Sequence, residues 1–128
     1  MLINWIAKPM GQGWEDVEPD ATVWVDVARV EAVFSLNRGH YVGMGGIGAG
    51  QSGRYENVGS FIQSGKVVWM PELSLDDDGV LWFTDGRHRF AWVRDHGASA
   101  LPVGTDPDRA VELAARLGTH LRECRVRC

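Results

Sequence analysis

The sequence has few cysteines and no long hydrophobic run, and each shortage excludes a class of protein. No stretch of about 18 apolar residues occurs, which excludes a membrane-spanning helix. The opening residues, MLINWIAKPMGQGW, lack the charged start, apolar run and small-residue cleavage site of a signal peptide, so we expect a cytoplasmic protein. The two cysteines, Cys124 and Cys128, lie together near the end of the chain, where reduced thiols are expected rather than a metal site.

Positive charge is also in short supply. The 128 residues include 13 Lys and Arg against 17 Asp and Glu, which gives a net charge of −4. Because binding along a nucleic-acid backbone needs clustered cations, this balance argues against a broad nucleic-acid surface. The charges are uneven, however: Arg87, Arg89 and Arg94 lie close together, while acids gather at 15–20 and 76–78. A local anion site is therefore compatible with the acidic total.

Hydrophobic periodicity predicts alternating strands and helices, as in a single α/β domain over residues 1–128. Strands are predicted at 23–27, 67–75, 80–84 and 101–103, and helices follow at 27–34, 54–64, 86–96 and 107–117. The turn at 76–79 makes a hairpin, and Pro71 marks a strand edge or bulge because it cannot donate to a ladder. Residues 1–21 are expected to form a loosely ordered leader and residues 119–128 a short tail.

The segment FTDGRHRFAWVRDHG predicts a strand that leads into a helix at a phosphate site. A helix start has unpaired backbone N–H groups and the positive end of the helix dipole, so it binds anions readily. Gly86 lets a ligand approach the backbone closely, and Arg87, His88 and Arg89 supply charge and donors that fit phosphate. Two arginines on a first turn oppose the dipole, which favours a bound anion over a solvated helix start.

Several other residues complete the candidate site. Arg54, after the glycine-rich segment, is a further candidate for phosphate binding. Asp85 can cap the helix, contact a ligand hydroxyl or hold a metal, and capping alone would explain it. Glu72 is either a catalytic base or metal ligand, or a simple strand-edge carboxylate. If the protein is an enzyme, its catalytic groups are Glu72, Asp85 and His88, because arginine cannot accept a proton.

Residues 39–54 are too rich in glycine for a regular element. Gly43, Gly45 and Gly48 match the pattern GxGxxG, but no clear strand leads in and no helix begins at the third glycine. A mobile loop is therefore favoured slightly over a phosphate cradle. Together with Gly46, these glycines form a candidate lid, since long loops in small domains are often functional.

The strand, acidic turn, strand and DGRHR helix resemble the ParB/sulfiredoxin fold, over roughly residues 23–117. Sulfiredoxins carry a redox cysteine where this chain has Arg87, and partition proteins carry a glutamate that is missing here. The motif of the free-serine kinases is closer. The segments SGRYENVG, WMPELSLD and DGRHRFAWVRDHG resemble most the plasmid fertility inhibition proteins of the Osa and FiwA group.

The resemblance implies a mixed sheet with flanking helices and a protein that blocks conjugal DNA transfer through type IV secretion. It also implies nuclease or ATPase activity, with ATP or another nucleotide and Mg²⁺ as cofactor, and a secretion or coupling protein as partner. Three functions stay open. The chain could bind and hydrolyse nucleotide or DNA phosphate, act as an inactive blocker of a partner, or be a small kinase of the free-serine type.

Overall fold

The computed structural model describes residues 1–13, 17–48, 50 and 53–127. Outside the described residues lie 14–16, 49, 51, 52 and Cys128. Of these, 15 and 16 belong to the acidic group at 15–20, and 49, 51 and 52 belong to the glycine-rich segment. The predictions for those residues therefore stay predictions from sequence.

A mixed four-stranded sheet with flanking helices organises the described chain. In chain order the strands are β1 (Trp5–Ile6), β2 (Ala21–Asp26), β3 (Val68–Trp69), β4 (Glu72–Leu75), β5 (Leu81–Asp85) and β6 (Ala100–Thr105). The helices are α1 (Val27–Phe34), α2 (Arg54–Gln63), α3 (Arg87–Asp95) and α4 (Ala110–Leu117). The large sheet has the order β2-β6-β4-β5, in which β4 and β6 are parallel and the other pairs antiparallel. Strands β1 and β3 form a separate parallel pair.

Alternation of side chains explains which face of the sheet is buried. In β2, Val23 and Val25 are buried while Thr22 is exposed, as the two-residue period of a strand requires. In the β4–β5 hairpin, buried Leu73 and Phe83 face each other across the ladder. The predicted fold class, a small α/β domain with a mixed sheet and flanking helices, is confirmed.

Side-chain contacts to the backbone define the predicted hairpin turn and the start of α1. The Asp76 carboxylate accepts from the backbone N–H groups of Asp78 and Val80, both at 2.9 Å, and Gly79 has a φ of +80°. Asp26 caps α1 by accepting from the N–H of Arg29 at 3.0 Å. These contacts fix the turn between β4 and β5 and thereby the position of Asp85 at the end of β5.

One predicted strand has to be corrected, and three other segments show detail that the sequence did not predict. The strand predicted at 67–75 is divided between two sheets, because Pro71 interrupts the ladder after β3. The leader is ordered at its start, where β1 pairs with β3 and Leu2 bridges to Arg125 near the other end of the chain. The glycine-rich segment contains a 3₁₀ turn at Met44–Gly46. In α4, Leu113 and Leu117 are buried, whereas Val111 is 84% exposed.

Helices α2 and α3 approach each other closely at one glycine. A Cβ placed on Gly59 would clash with Nε1 of Trp92, so the two helices could not pack this way with a larger residue. Phe90, Ala91 and Val93 are fully buried and anchor α3 in the core. Near this contact, Tyr55 at the start of α2 donates to Asp95 at the C-terminal end of α3. Among the described residues, no helix has the length and apolar character that crossing a bilayer requires.

Candidate functional site

The start of α3 requires a glycine at position 86. Gly86 adopts a φ of +93°, and a Cβ at this position would lie 2.8 Å from the Cα and Cβ of Pro71. The turn therefore presses the beginning of α3 against the connection between β3 and β4. No side chain caps the helix start, so Asp85 is not the capping residue.

Asp85 is instead the ion-pair partner of two cations. Its carboxylate lies 2.8 Å from Nη2 of Arg89, one helical turn later, and 3.4 Å from Nζ of Lys8. Burial opposes ionisation of Asp85, but the hydrogen bond and charge of Arg89, with Lys8, outweigh it and hold the pKa of Asp85 below its usual value. Asp85 is thus a poor proton acceptor at neutral pH. The unfavourable placement of Arg89 on the first turn is compensated within the chain, so it does not by itself require a bound anion.

Arg87 is tied to a residue that the sequence did not single out. Its Nη1 donates to the backbone oxygen of His40 at 2.8 Å. Nε2 of His40 in turn accepts from the backbone N–H of Phe83 at 2.8 Å, which requires a neutral imidazole with its proton on Nδ1. Burial and the charge of Arg87 lower the pKa of His40 and favour this neutral form. The histidine couples the first turn of α3 to the outer edge of β5.

His88 is the buried titratable group of the first turn. It is 6% exposed, and its Nε2 is buried without a hydrogen-bond partner in the described part of the chain. Burial lowers the pKa of His88, and the nearby charges of Arg87 and Arg54 lower it further. The lowered pKa favours the neutral form of the imidazole. An orphaned polar nitrogen in a buried position is costly unless a ligand or a reaction uses it.

Glu72 on β4 is paired in register with Asp85 on β5. A second carboxylate, Asp20, lies close enough for its charge to act on Glu72. Burial raises the pKa of Glu72, and the charge of Asp20 raises it further, against the opposing effect of Lys8. A Cβ placed on Gly104 would lie 3.3 Å from Oδ2 of Asp20 and 3.7 Å from Cγ of Glu72, so both acids approach the same point of β6. A carboxyl with a raised pKa is suited to proton transfer.

Arg54 and Arg89 line one cavity of about 490 Å³ between α2 and the β1–β3 pair. The two arginines come from different helices, and the charge of Arg54 also acts on buried His88. Arg54 makes no ion pair with any described residue. Among the described residues, Arg54 thus has no counterion within ion-pairing distance, whereas Arg89 is paired with Asp85.

The third arginine of the segment has a structural task. Arg94 donates through Nε to Asp95 at 2.8 Å, and through Nη1 to Glu31 at 2.9 Å and to the backbone oxygen of Val42 at 2.7 Å. Its side chain is 10% exposed. Arg94 therefore belongs to an internal network at the C-terminal end of α3 and does not extend the cationic site.

The candidate lid is anchored at that same end. The N–H of Gly45 donates to Asp95 at 2.9 Å, and the hydroxyl of Tyr55 donates to the same oxygen at 2.8 Å. Gly46 lies against Tyr55, where a Cβ would approach that side chain to 2.7 Å. The backbone N–H of Gly43 donates to the backbone oxygen of Ile47 at 2.8 Å and stabilises the 3₁₀ turn. Gly48 follows this turn. Closure of these glycines over the start of α3 stays a prediction.

The site fits a phosphate better than a metal held by protein ligands alone. Two arginines and a helix start match the charge and geometry of a phosphate group. In the described ranges, no three His, Cys, Asp or Glu side chains are grouped so that they could hold a metal ion. Glu72 and Asp20 line a neighbouring cavity and not the one that Arg54 and Arg89 share.

The chain matches no protein-family model. It also matches none of the curated proteins. Its fold is similar to the crystal structure of Oncogenic Suppression Activity Protein (Osa), a plasmid fertility inhibition factor, with a TM-score of 0.60 and 20% sequence identity. The similarity covers 88% of this chain and 63% of that chain. The resemblance to Osa expected from the motifs is thus confirmed at the level of the fold, over less than two thirds of the length of Osa.

Proposed function

We propose that this chain is a plasmid-type fertility inhibition protein that binds a nucleotide or DNA phosphate at the DGRHR start of α3. By doing so it blocks conjugal DNA transfer through a type IV secretion system. The observation that carries the proposal is the convergence of Arg54 and the first turn of α3 on buried His88, whose Nε2 has no partner among the described residues.

The fold supports the biological part of the proposal. Osa, which has the same fold, is a plasmid fertility inhibition factor. Fold alone does not carry function, so the argument rests on the site. An uncompensated arginine and a neutral buried histidine at a helix start are the features expected of a phosphate site.

Hydrolysis of the bound phosphate ester is the finer part of the proposal. Arg54 and Arg89 would stabilise charge on the phosphate, and neither can act as a base. His88, whose lowered pKa favours the neutral form, would accept a proton from an attacking water, and Glu72, whose raised pKa favours the protonated form, would donate one to a leaving group. Asp85 holds Arg89 in place and stays ionised.

A second candidate, an inactive protein that blocks a partner by contact, is favoured by one observation. Phe61, Val67 and Trp69 are about half exposed and line the same cavity as Arg54 and Arg89, and exposed apolar side chains grouped in this way are typical of an interface. Turnover separates the two candidates, because a contact blocker inhibits transfer without hydrolysing anything.

The proposed site is tested by thermal unfolding with a panel of nucleotides, with and without Mg²⁺. A ligand that binds only the native state must raise the melting temperature. We expect a shift with at least one nucleotide in the wild type and in Arg29→Ala, which removes an exposed arginine from α1. The shift should be lost in Arg54→Ala. Because Arg54 makes no ion pair with a described residue, this substitution should leave the fold intact. Equal shifts in all three proteins would contradict the assignment.

A further inference from the structure

Four apolar side chains form an exposed surface around the β1–β3 pair, which we call the apolar patch: Ile6, Phe61, Val67 and Trp69. Each is 45–46% exposed. Ile6 and Trp69 are paired in the β1–β3 register, and the other two line the cavity of about 490 Å³ together with Trp69. Single exposed apolar residues are ordinary, but a contiguous group of large ones beside a cavity marks a surface that binds something.

Cations surround the patch. Nζ of Lys8 lies 5.9 Å from the ring centroid of Trp69, and Nζ of Lys66 lies 5.8 Å from that of Phe61. Arg54 and Arg89 stand in the cavity wall. Asp85 is shared between Lys8 and Arg89, whereas Arg54 and Lys66 make no ion pair with a described residue. In a chain with a net charge of −4, this rim is positively charged.

We propose that the apolar patch is a docking surface for an acidic segment of another protein, with aliphatic or aromatic anchors that enter the cavity. Charge complementarity identifies the occupant: the rim would pair with Asp and Glu side chains that flank the anchors. The segment buries its apolar side chains against the patch, as the cores of protein interfaces do. The occupant and the surface go beyond the phosphate site proposed above.

A nucleobase fits the patch less well than a protein segment. The lysines lie over the rings of Trp69 and Phe61, so a base could stack there only by displacing a cation. Apart from the two arginines and Asn57, the described cavity wall is apolar and includes Val58, Ile62 and Val68, whereas a base needs polar partners along its edges. Leu and Phe side chains have no polar atoms, so their burial in the cavity leaves no hydrogen-bond donor or acceptor without a partner.

Docking would cover the two arginines that the patch shares with the phosphate site. A protein segment in the cavity would lie against Arg54 and Arg89, so docking and phosphate binding would compete. By linkage, a saturating phosphate ligand should weaken docking and the segment should weaken phosphate binding by the same factor.

The test is a fluorescence-anisotropy titration of the full chain with designed peptides. The first peptide carries Leu and Phe anchors flanked by Asp and Glu, the second has Lys in place of the acids, and the third has Ser in place of the anchors. We expect only the first to bind, and its binding should weaken as salt is raised because the rim is exposed. Failure of the first peptide to bind, or equal binding of all three, would overturn the proposal.

Matched variants locate the binding. Val67→Asp places a charge in the patch, and Val111→Asp places the same charge on an exposed valine of α4. We expect Val67→Asp and Lys66→Glu to lower the affinity for the acidic peptide by at least about tenfold, and Val111→Asp to leave that affinity unchanged. A single-stranded oligonucleotide serves as the competing probe. The proposal is wrong if the acidic peptide does not bind while the oligonucleotide binds the wild type but not Val67→Asp. The patch would then be a nucleic-acid-binding surface.

Discussion

The two ends of α3 carry similar residues but use them in opposite ways. At the C-terminal end, Arg94 and Asp95 are almost completely buried and bonded to each other, to Glu31 and to Tyr55. At the start of the helix, Asp85 pairs with Arg89 while His88 is buried without a described partner and Arg54 has no described counterion. Charges that are paired internally stabilise a fold, whereas charges left without a partner mark a place where a ligand completes the set.

The largest expected effect comes from breaking the paired end. Asp95→Ala removes the partner of buried Arg94 and the acceptor of Gly45 and Tyr55, and should lower the free energy of unfolding by about 3 kcal/mol or more. Arg54→Ala at the other end should change the free energy of unfolding by about 0.5 kcal/mol at most. Urea unfolding of both variants measures the difference, and similar losses would show that the two ends are not distinct.

The backbone turn at the start of α3 is the next most sensitive point. Gly86→Ala forces a positive φ on a residue with a side chain and places its Cβ against Pro71, so it should cost about 1–3 kcal/mol. Gly65 also has a positive φ, of +80°, but a Cβ there would meet no atom within 4 Å. Gly65→Ala is therefore the control for backbone strain alone. A cost at Gly86 no greater than that at Gly65 would remove the argument for close packing.

Replacing the buried histidine should separate stability from function. His88→Leu removes an unpartnered buried nitrogen and should raise the free energy of unfolding by about 1 kcal/mol. If the wild type hydrolyses a phosphate ester, the same variant should be slower by roughly a hundredfold or more, the usual effect of losing a general base. Denaturation and hydrolysis are measured on one preparation. A destabilised variant with unchanged turnover would assign His88 to the core.

The pH dependence of stability gives a smaller effect with a defined sign. Because the folded-state pKa of His88 is lowered, the unfolded chain takes up a proton first as the pH falls through about 6.5, and stability decreases there. His40 acts in the same direction, whereas Glu72, whose pKa is raised, acts in the opposite direction at lower pH. The decrease between pH 7.5 and 6 should therefore be smaller in His88→Leu than in the wild type. Identical pH profiles would mean that His88 keeps its ordinary pKa.

The sequence predicted the elements whose signals are local. Alternating valines located β2, the Asp76 turn located the β4–β5 hairpin, and Gly86 with its arginines located the start of α3. Contacts between distant residues could not be predicted this way. Lys8 reaches Asp85, and Asp20 reaches Glu72, from a segment with no clear periodicity, and His40 is selected only by its position beside β5.

The same limitation explains Arg94. In sequence it belongs to the cationic group around Arg87 and Arg89, but it lies almost two helical turns from the start of α3. There it meets Glu31 and Asp95, so its charge is used inside the fold. Spacing along a helix predicts which residues share a face, but not which partner another element brings to that face.

The measurement that tests the central claim most directly pairs nucleotide binding with conjugation frequency in cells. Wild type, Arg54→Ala and the control Arg29→Ala are compared by calorimetric titration and by their effect on plasmid transfer. The account predicts that Arg29→Ala matches the wild type in both, while Arg54→Ala loses binding and no longer inhibits transfer. Inhibition that persists in Arg54→Ala after binding is lost would contradict it and favour a protein that acts by contact alone.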